Sequence, residues 1–338
     1  MAGRIKLVIG ASGFLGSHVV RQLVENGESV RVLLRRTSST RAIDDLEVDR
    51  TYGDIFDDTA VREAMDGCDD VYYCVVDARA WLRDPTPLFH TNIDGLRRVL
   101  DVAAAADLRR FVFTSTIGTI ALSENGGAAT EDEPFNWLDR GGAYIRSRVE
   151  AENLVLDYVR DRGLPAVALC VSNTYGPGDW QPTPHGSLVA AAAAGKMPVY
   201  VKEMAMEVVG IEDAARALIL AADKGRVGER YIISERFITA RELYETAADA
   251  AGAKRPRFGI PLKAMYALGF GGDVAAAVLR RDMLLSTLSV RLMHIMSPMD
   301  HGKAERELGW HPEPIHHSIR KAVEFYRDRA AADRTATG

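Results

Sequence analysis

Gly10, Gly13 and Gly16 are spaced G-x-x-G-x-x-G. They close a short apolar run, Ile5-Lys6-Leu7-Val8-Ile9, and open a helical pattern carried by Phe14, Leu15, Val19, Val20, Leu23 and Val24. Residues without side chains do chemistry through their backbone. Gly10 suits a tight turn, Gly13 a close approach of backbone to a diphosphate, and Gly16 the packing of helix on strand. The anion would sit on the free N–H groups and positive dipole end of that helix. A second group, Arg35-Arg36-Thr37-Ser38, stands where the second strand ends. An acid there would bond a ribose 2′-hydroxyl. Two guanidinium groups and two hydroxyls instead suit a 2′-phosphate, so the expected cofactor is NADP(H) rather than NAD(H). Asp54, just past the third strand, could accept a bond from an adenine amino group.

These groups need a sheet to hold them. Gly27 is a natural helix stop, and residues 28–34 read as a second strand, giving a right-handed parallel crossover. Strands are expected at 48–52, 70–75, 110–115 and 166–170. Helices are expected from Asp57 to Met65, at 88–106, and from about Tyr144 to Arg162. The alternation predicts an α/β fold with a Rossmann-type, doubly wound parallel sheet over residues 1–170. It then stops at Gly176-Pro177-Gly178-Asp179 and Pro182-Thr183-Pro184. Residues 171–330 are expected to form a smaller, mostly helical substrate lobe with some returning sheet elements, and 331–338 a frayed tail. In that lobe, helices are expected near 188–194, at 241–251 and 315–329, with a strand at 230–233 and an irregular helical region at 262–296. The apolar, methionine-rich stretch from Met283 to Met299 suits lobe core or a dimer contact, or else a membrane surface or greasy substrate.

The chain has 338 residues, 47% of them hydrophobic and 26% charged, with a formal net charge of −5. Mild acidity argues against nucleic acid and anionic membranes as partners, since Arg35-Arg36 and Arg280-Arg281 are pairs rather than patches. Cys68, Cys74 and Cys170 are odd in number and lack metal-ligand spacing, which suits reduced thiols, no metal and a cytoplasmic location. A first strand starting by residue 4 argues against a signal peptide, and the absence of an uncharged apolar run of membrane-spanning length argues against a membrane span.

The sequence resembles the extended short-chain dehydrogenase/reductases, in the branch of NAD-dependent epimerase/dehydratases and dihydroflavonol-reductase-like enzymes. The resemblance rests on the glycine motif, Asn92-x-x-Gly95, Phe113-Thr114-Ser115-Thr116, Tyr144-Ile145-Arg146-Ser147-Arg148, Asn173-Thr174-Tyr175-Gly176-Pro177 and Leu308-Gly309-Trp310. Asp77-Ala78-Arg79-Ala80-Trp81 and Pro182-Thr183-Pro184 look similar to bacterial proteins named hopanoid-associated sugar epimerases. The resemblance implies a cofactor-contact set of Gly10, Ser12, Gly13, Phe14, Leu15, Gly16, Arg35, Arg36, Asp54, Ile55, Val75, Asn92, Thr114, Tyr144, Arg148, Val171 and Asn173. It implies Tyr144 as general acid/base, position 148 as the cation that favours its phenolate, and Thr116 rather than Ser115 as the partner of the substrate oxygen. It also implies possible homodimers paired through the long helices at the sheet's edge.

The departures fall at one end of the pocket. The family's Tyr-x-x-x-Lys is Tyr144-x-x-x-Arg148 here, and arginine holds its protons too firmly for a proton relay. Val75-Val76, Cys170-Val171 and Val209-Gly210-Ile211-Glu212-Asp213 replace residues common in the family. Trp81, Trp180 and His185, with Arg79 and Tyr200, are candidate substrate contacts in loops expected to face the cleft, and Trp310 is expected to pack the terminal helix. Cations for a diphosphate clamp are few in the late segments: Lys196, Lys202, Lys254, Arg255 and Arg257. The expected activity is interconversion of a carbonyl and an alcohol on a small, apolar molecule. Two alternatives stand beside it: an epimerase or dehydratase that recycles its hydride, and a cofactor-binding protein without turnover.

Overall fold

The computed structural model describes residues 5–336. Its first part runs β1 (Ile5–Ile9), α1 (Phe14–Glu25), β2 (Ser29–Leu34), β3 (Asp49–Tyr52), α2 (Asp58–Met65), β4 (Cys68–Tyr73), α3 (Thr86–Phe89), α4 (Leu96–Ala105), β5 (Arg110–Thr116), α5 (Leu138–Arg162) and β6 (Ala166–Val171). There follow β7 (Asn173–Tyr175), α6 (Pro184–Ala193), β8 (Val199–Val201), β9 (Ala205–Gly210), α7 (Ile211–Lys224), β10 (Arg230–Ile233), β11 (Arg236–Thr239), α8 (Ala240–Ala251) and β12 (Phe258–Ile260). The chain closes with α9 (Leu262–Leu279), α10 (Thr287–Leu292), α11 (Gly302–Leu308) and α12 (Ile315–Ala336).

Seven strands form one parallel sheet in the order β10-β6-β5-β4-β1-β2-β3. Strand alternation sorts its side chains into two cores. Val8 and Val112 pack with Val19, Val20, Leu218 and Ala221 of α1 and α7. Leu7, Ile9, Phe111 and Phe113 face the other way, onto Leu96, Val99, Leu100 and Val155 of α4 and α5. The reversal of strand order beside β1 opens the crevice in which such sheets bind ligands. The smaller part holds the sheet β11-β9-β7 and the pair β12-β8, packed on α6, α8 and α12 around Tyr175, Val208, Leu243 and Ile319. α7 and β10 return to the main sheet, so residues 211–233 belong structurally with the first part.

Several boundaries differ from expectation. β4 ends at Tyr73 rather than Val75, so Cys74 and Val75 lie just beyond the strand. The helix expected at 88–106 begins at Thr86 and passes through a π-helical turn, His90–Gly95. At the end of that turn, Gly95 lets Ile55 pack close: a Cβ there would stand 2.5 Å from Ile55 Cδ1. The terminal helix runs on through Ala336, so residues 331–336 are helical rather than frayed, and 337–338 lie outside the described residues. Trp310 is fully buried in the core shared by α7 and α11, with Nε1 donating to Asp213 O at 2.9 Å. The expectation that no uncharged apolar run has membrane-spanning length concerns one helix in particular. α9 is long and apolar enough to cross one by length and composition, with mean hydropathy 1.3 although it carries Lys263 and Asp273.

Candidate active site at the carboxyl edge of the sheet

The glycine loop is shaped by what it must avoid. Gly10 sits at φ +92°, and a Cβ on it would lie 2.9 Å from Cys74 C and 3.0 Å from Val75 N as the chain leaves β4. A Cβ on Gly16 would lie 2.2 Å from Gly10 O, so only glycine lets α1 start this close to β1. Gly13 is exposed and N-caps α1 with no side-chain hydrogen bond, and no acid occupies the first turn. The helix therefore offers its first N–H groups and positive end to an anion. This cradle fits a dinucleotide diphosphate.

At the other end, α5 is broken at Gly142, whose φ of 67° and ψ of −169° restart the helix two residues before Tyr144. Leu288 of α10 occupies the space a side chain on Gly142 would need, its Cδ2 2.6 Å from the Cβ position. The restarted helix is tied to the loop after β4 through one buried amide. Asn92 Oδ1 accepts from Asp77 N at 2.8 Å, while its Nδ2 donates to Asp77 O and to Ser147 Oγ, each at 3.0 Å. Ser147 Oγ donates in turn to Tyr144 O at 2.8 Å.

Thr116 and Ser115, adjacent on β5, point to opposite sides of the sheet. Ser115 Oγ donates to the buried Glu152, which also accepts from Thr119 Oγ1 at 2.9 Å and pairs with Arg230 Nε at 3.0 Å. Thr116 is half-buried at the carboxyl end of β5, near Tyr144. Its Oγ1 accepts from Gly118 N at 3.1 Å, leaving its own proton to donate outward. Burial pushes the Tyr144 phenol above its ordinary pKa. The Arg148 charge and a hydrogen bond with Thr116 pull it back, and the Asp77 carboxylate adds a smaller upward push.

Arg148 lies one helical turn after Tyr144 and is 2% exposed. Its Nη2 donates to Thr114 O at 2.7 Å and its guanidinium stands 5.3 Å over the Phe113 ring. Its Nε is buried without a hydrogen-bond partner. A buried N–H left unmade is costly, and a ribose hydroxyl at this point would satisfy it.

Comparisons with known proteins establish the family. Residues 6–234 match the family model for the NAD-dependent epimerase/dehydratase family. The chain is 31% identical over 326 residues to sterol demethylase protein B of Methylococcus capsulatus, covering 96% of this chain and 98% of that one. It is 26% identical over 278 residues to cinnamoyl-CoA reductase 1 of Petunia hybrida, covering 78% and 81%. The crystal structure of gox2253 superposes with a TM-score of 0.85 at 29% identity, over 96% of this chain and 98% of that chain. The chain belongs to the NAD-dependent epimerase/dehydratase family, within the extended short-chain dehydrogenase/reductases.

Around this family core the other expected residues divide. Ser12, Phe14, Leu15 and Val75 are half-buried about the glycine loop, and Ile55 packs beneath Gly95. Asp54 Oδ1 accepts from Phe56 N at 3.1 Å. Arg35 and Arg36 are exposed in a turn closed by Ser38 N donating to Arg35 O, with the Arg36 guanidinium 5.3 Å over Tyr52. Thr114 Oγ1 donates to Cys74 Sγ at 3.4 Å. Val171 is buried at the end of β6, and Asn173 Nδ2 donates to Glu207 O at 2.9 Å. Trp81 sits in the loop behind Asp77, where Arg79 pairs with the Asp77 carboxylate. His185 is in the first turn of α6, and burial lowers its pKa.

Trp180 does not join this group. Its ring packs edge-on to Phe325 of α12 and carries the Arg41 guanidinium at 4.0 Å. It lines a cavity of about 750 Å³ with His18, Arg21, Glu212 and Arg216, on the α1–α7 side and apart from Tyr144. A tryptophan in a Gly/Pro-rich loop looks the same from sequence whichever wall it joins. Asp77 and Ser147 take part in the site without being foreseen as site residues. The spacing of Ser147 from Tyr144 on one helix is the only signal that could have found one of them.

Proposed function

We propose that this family member is an NADP(H)-dependent oxidoreductase interconverting a carbonyl and an alcohol on a small, apolar, ring-bearing molecule. The observation that carries the reading is the placing of the Tyr144 phenol beside Thr116, with the Arg148 cation one helical turn away. The cofactor, when bound, supplies or takes the hydride. Gly10, Gly13 and Gly16 would hold its diphosphate, Arg35 and Arg36 its 2′-phosphate, and Arg148 Nε a ribose hydroxyl. In reduction, Tyr144 Oη gives its proton to the substrate oxygen as the carbon–hydrogen bond forms, and Thr116 Oγ1 donates a hydrogen bond to that oxygen. Arg148 stabilises the tyrosinate left behind. A phenol held up by burial stays protonated at neutral pH, which suits the reductive direction. Apolar chemistry in the names of two relatives, a sterol demethylase protein and a cinnamoyl-CoA reductase, supports the substrate class.

The test is loss of reduced-nicotinamide absorbance when purified protein meets NADPH and a panel of cyclic ketones and aromatic carbonyls. Turnover with NADPH that Tyr144→Phe abolishes is expected; no turnover across the panel would sink the reading. One observation favours a second reading, cofactor binding without turnover: Arg148 Nη2 is already committed to Thr114 O. Arg148→Lys separates the two, because inactivity in both forms beside intact cofactor binding would favour the second. We also place the protein in the cytoplasm, as a homodimer paired through α4 and α5. Size-exclusion chromatography with light scattering checks the dimer, and cell fractionation checks the location.

A further inference from the structure

α9 is apolar over most of its surface, yet it is mostly exposed. Its contacts with the rest of the protein are partly polar. Tyr266 Oη and His294 Nε2 are 2.9 Å apart, Asp273 Oδ2 accepts from Thr287 Oγ1 at 2.6 Å, and a Cβ on Gly272 would meet Leu285 O at 1.9 Å. Its outward side carries Phe270, Val274 and Val278 at four-residue spacing, flanked by Leu268 and Leu279, with Leu284 following. These six side chains are between 48% and 75% exposed, and only 6% of the helix is buried. A surface helix ordinarily turns its apolar side to the core. A contiguous apolar face left in water marks an interaction surface.

Charge selects the occupant. Lys263 stands at one end of the helix and Arg280-Arg281 at the other, all exposed, and no ion pair to any of them is found among the described residues. Two acids lie nearby and keep their charge, Asp273 bonded by Thr287 and Asp282 accepting from Arg83 N at 2.9 Å, so the three cations outnumber them by one. A second copy related by a two-fold axis would set these cations against one another. The acidity of the whole chain argues against an anionic membrane, but here the Arg280-Arg281 pair and Lys263 border an exposed apolar helix, and that local combination fits an anionic lipid surface. The same elements border the candidate active site. Asp282 holds the loop carrying Arg79 and Trp81, and Leu288 of α10 packs on Gly142 beside Tyr144.

We propose that α9 and its flanking cations lie flat on an anionic bilayer, so that the site opens where apolar molecules partition. This surface is independent of the reaction assigned to Tyr144, since lipid binding is read without turnover.

The test is co-sedimentation of the full chain with vesicles of phosphatidylglycerol and phosphatidylcholine, against phosphatidylcholine alone. Binding to the anionic vesicles that weakens with salt is expected. Phe270→Ser/Val278→Ser should abolish it, and Arg280→Gln/Arg281→Gln should weaken it by roughly thirtyfold. Both variants should keep the wild-type melting temperature, because the altered side chains are exposed. No binding by the wild type, or undiminished binding by either variant, overturns the proposal. So does retention that survives high salt and alkaline extraction, which would mean insertion. Equally decisive against it would be a dimer that Phe270→Ser/Val278→Ser splits in the absence of any vesicle binding, which gives the face to a second copy.

Discussion

At the β1–α1 end of the crevice the residues that matter have no side chains, whereas at the β5–α5 end everything depends on them. Gly10, Gly13 and Gly16 work by leaving space, and their loop is closed by backbone, with Gly13 N donating to Gly10 O at 3.0 Å. Tyr144 is placed by a helix break at Gly142, by Asn92 and Ser147 reaching from two elements, and by Arg148 held under β5. A site made of backbone tolerates almost no substitution and little chemical variation. One made of side chains can be retuned residue by residue. The difference suggests that cofactor binding and turnover fail separately.

The largest effect should come from filling the backbone end. Gly16→Val would drive a side chain into Gly10 O, 2.2 Å from the Cβ position. The expected cost is about 3 kcal/mol of stability, read by denaturant unfolding, together with loss of cofactor binding by fluorescence titration. Retained binding in a variant of this kind would dissolve the contrast between the two ends.

Tyr144→Phe should do the opposite. Cofactor affinity should stay at the wild-type value while turnover falls by roughly 10²- to 10⁴-fold, the share general acid–base catalysis commonly supplies. Steady-state rates beside a binding titration check this, and equal losses in both would show that Tyr144 holds the cofactor rather than the proton.

Arg148→Met sharpens the comparison through pH. The oxidative direction needs Tyr144 deprotonated, and the Arg148 charge opposes the upward push of burial on that phenol. Removing the charge raises the phenol pKa further, so the pH at which the oxidative rate levels off moves up. Below that point the oxidative rate at fixed pH falls in proportion to the shrinking phenolate fraction, about tenfold if the phenol binds its proton ten times more tightly. Reduction, which uses the protonated phenol, should lose less and persist to higher pH. Arg148→Lys keeps the charge and should leave both limbs near the wild type. Profiles of kcat/KM against pH in the two directions decide the matter.

How far the sequence could be read follows the same division. The main sheet was legible because its strands are apolar runs set between glycines and caps, and β10 falls at the expected residues. The crevice could be read from three glycines because their spacing is itself the geometry. β7, β8, β11 and β12 are three or four residues long, too short for a period to show. Glu152 was missed since nothing local says that a helical glutamate is buried under β5 against Ser115 and Arg230. Trp180 went to the wrong wall because its partners, Arg41 and Phe325, lie far away in sequence. α9 shows a deeper limit. Its residues are apolar on nearly every side, so the sequence does not say which side faces the protein, and only the contacts of Asp273 and Gly272 reveal it.

The smallest expected effect tests whether the backbone end is wholly indifferent to side chains. Arg35 and Arg36 are both exposed, and neither is held by an acid among the described residues; Arg36 rests over Tyr52. If they meet a 2′-phosphate, Arg35→Ala should raise KM for NADPH by roughly tenfold, the worth of one hydrogen bond to a charged group near the surface. KM for NADH should stay unchanged. Arg36→Ala should do less where the Tyr52 stack already holds the guanidinium away, and the double variant should bring the two cofactors close to parity. Equal KM changes for NADPH and NADH would mean that these arginines serve the adenosine generally, and the selectivity would have to come from backbone after all.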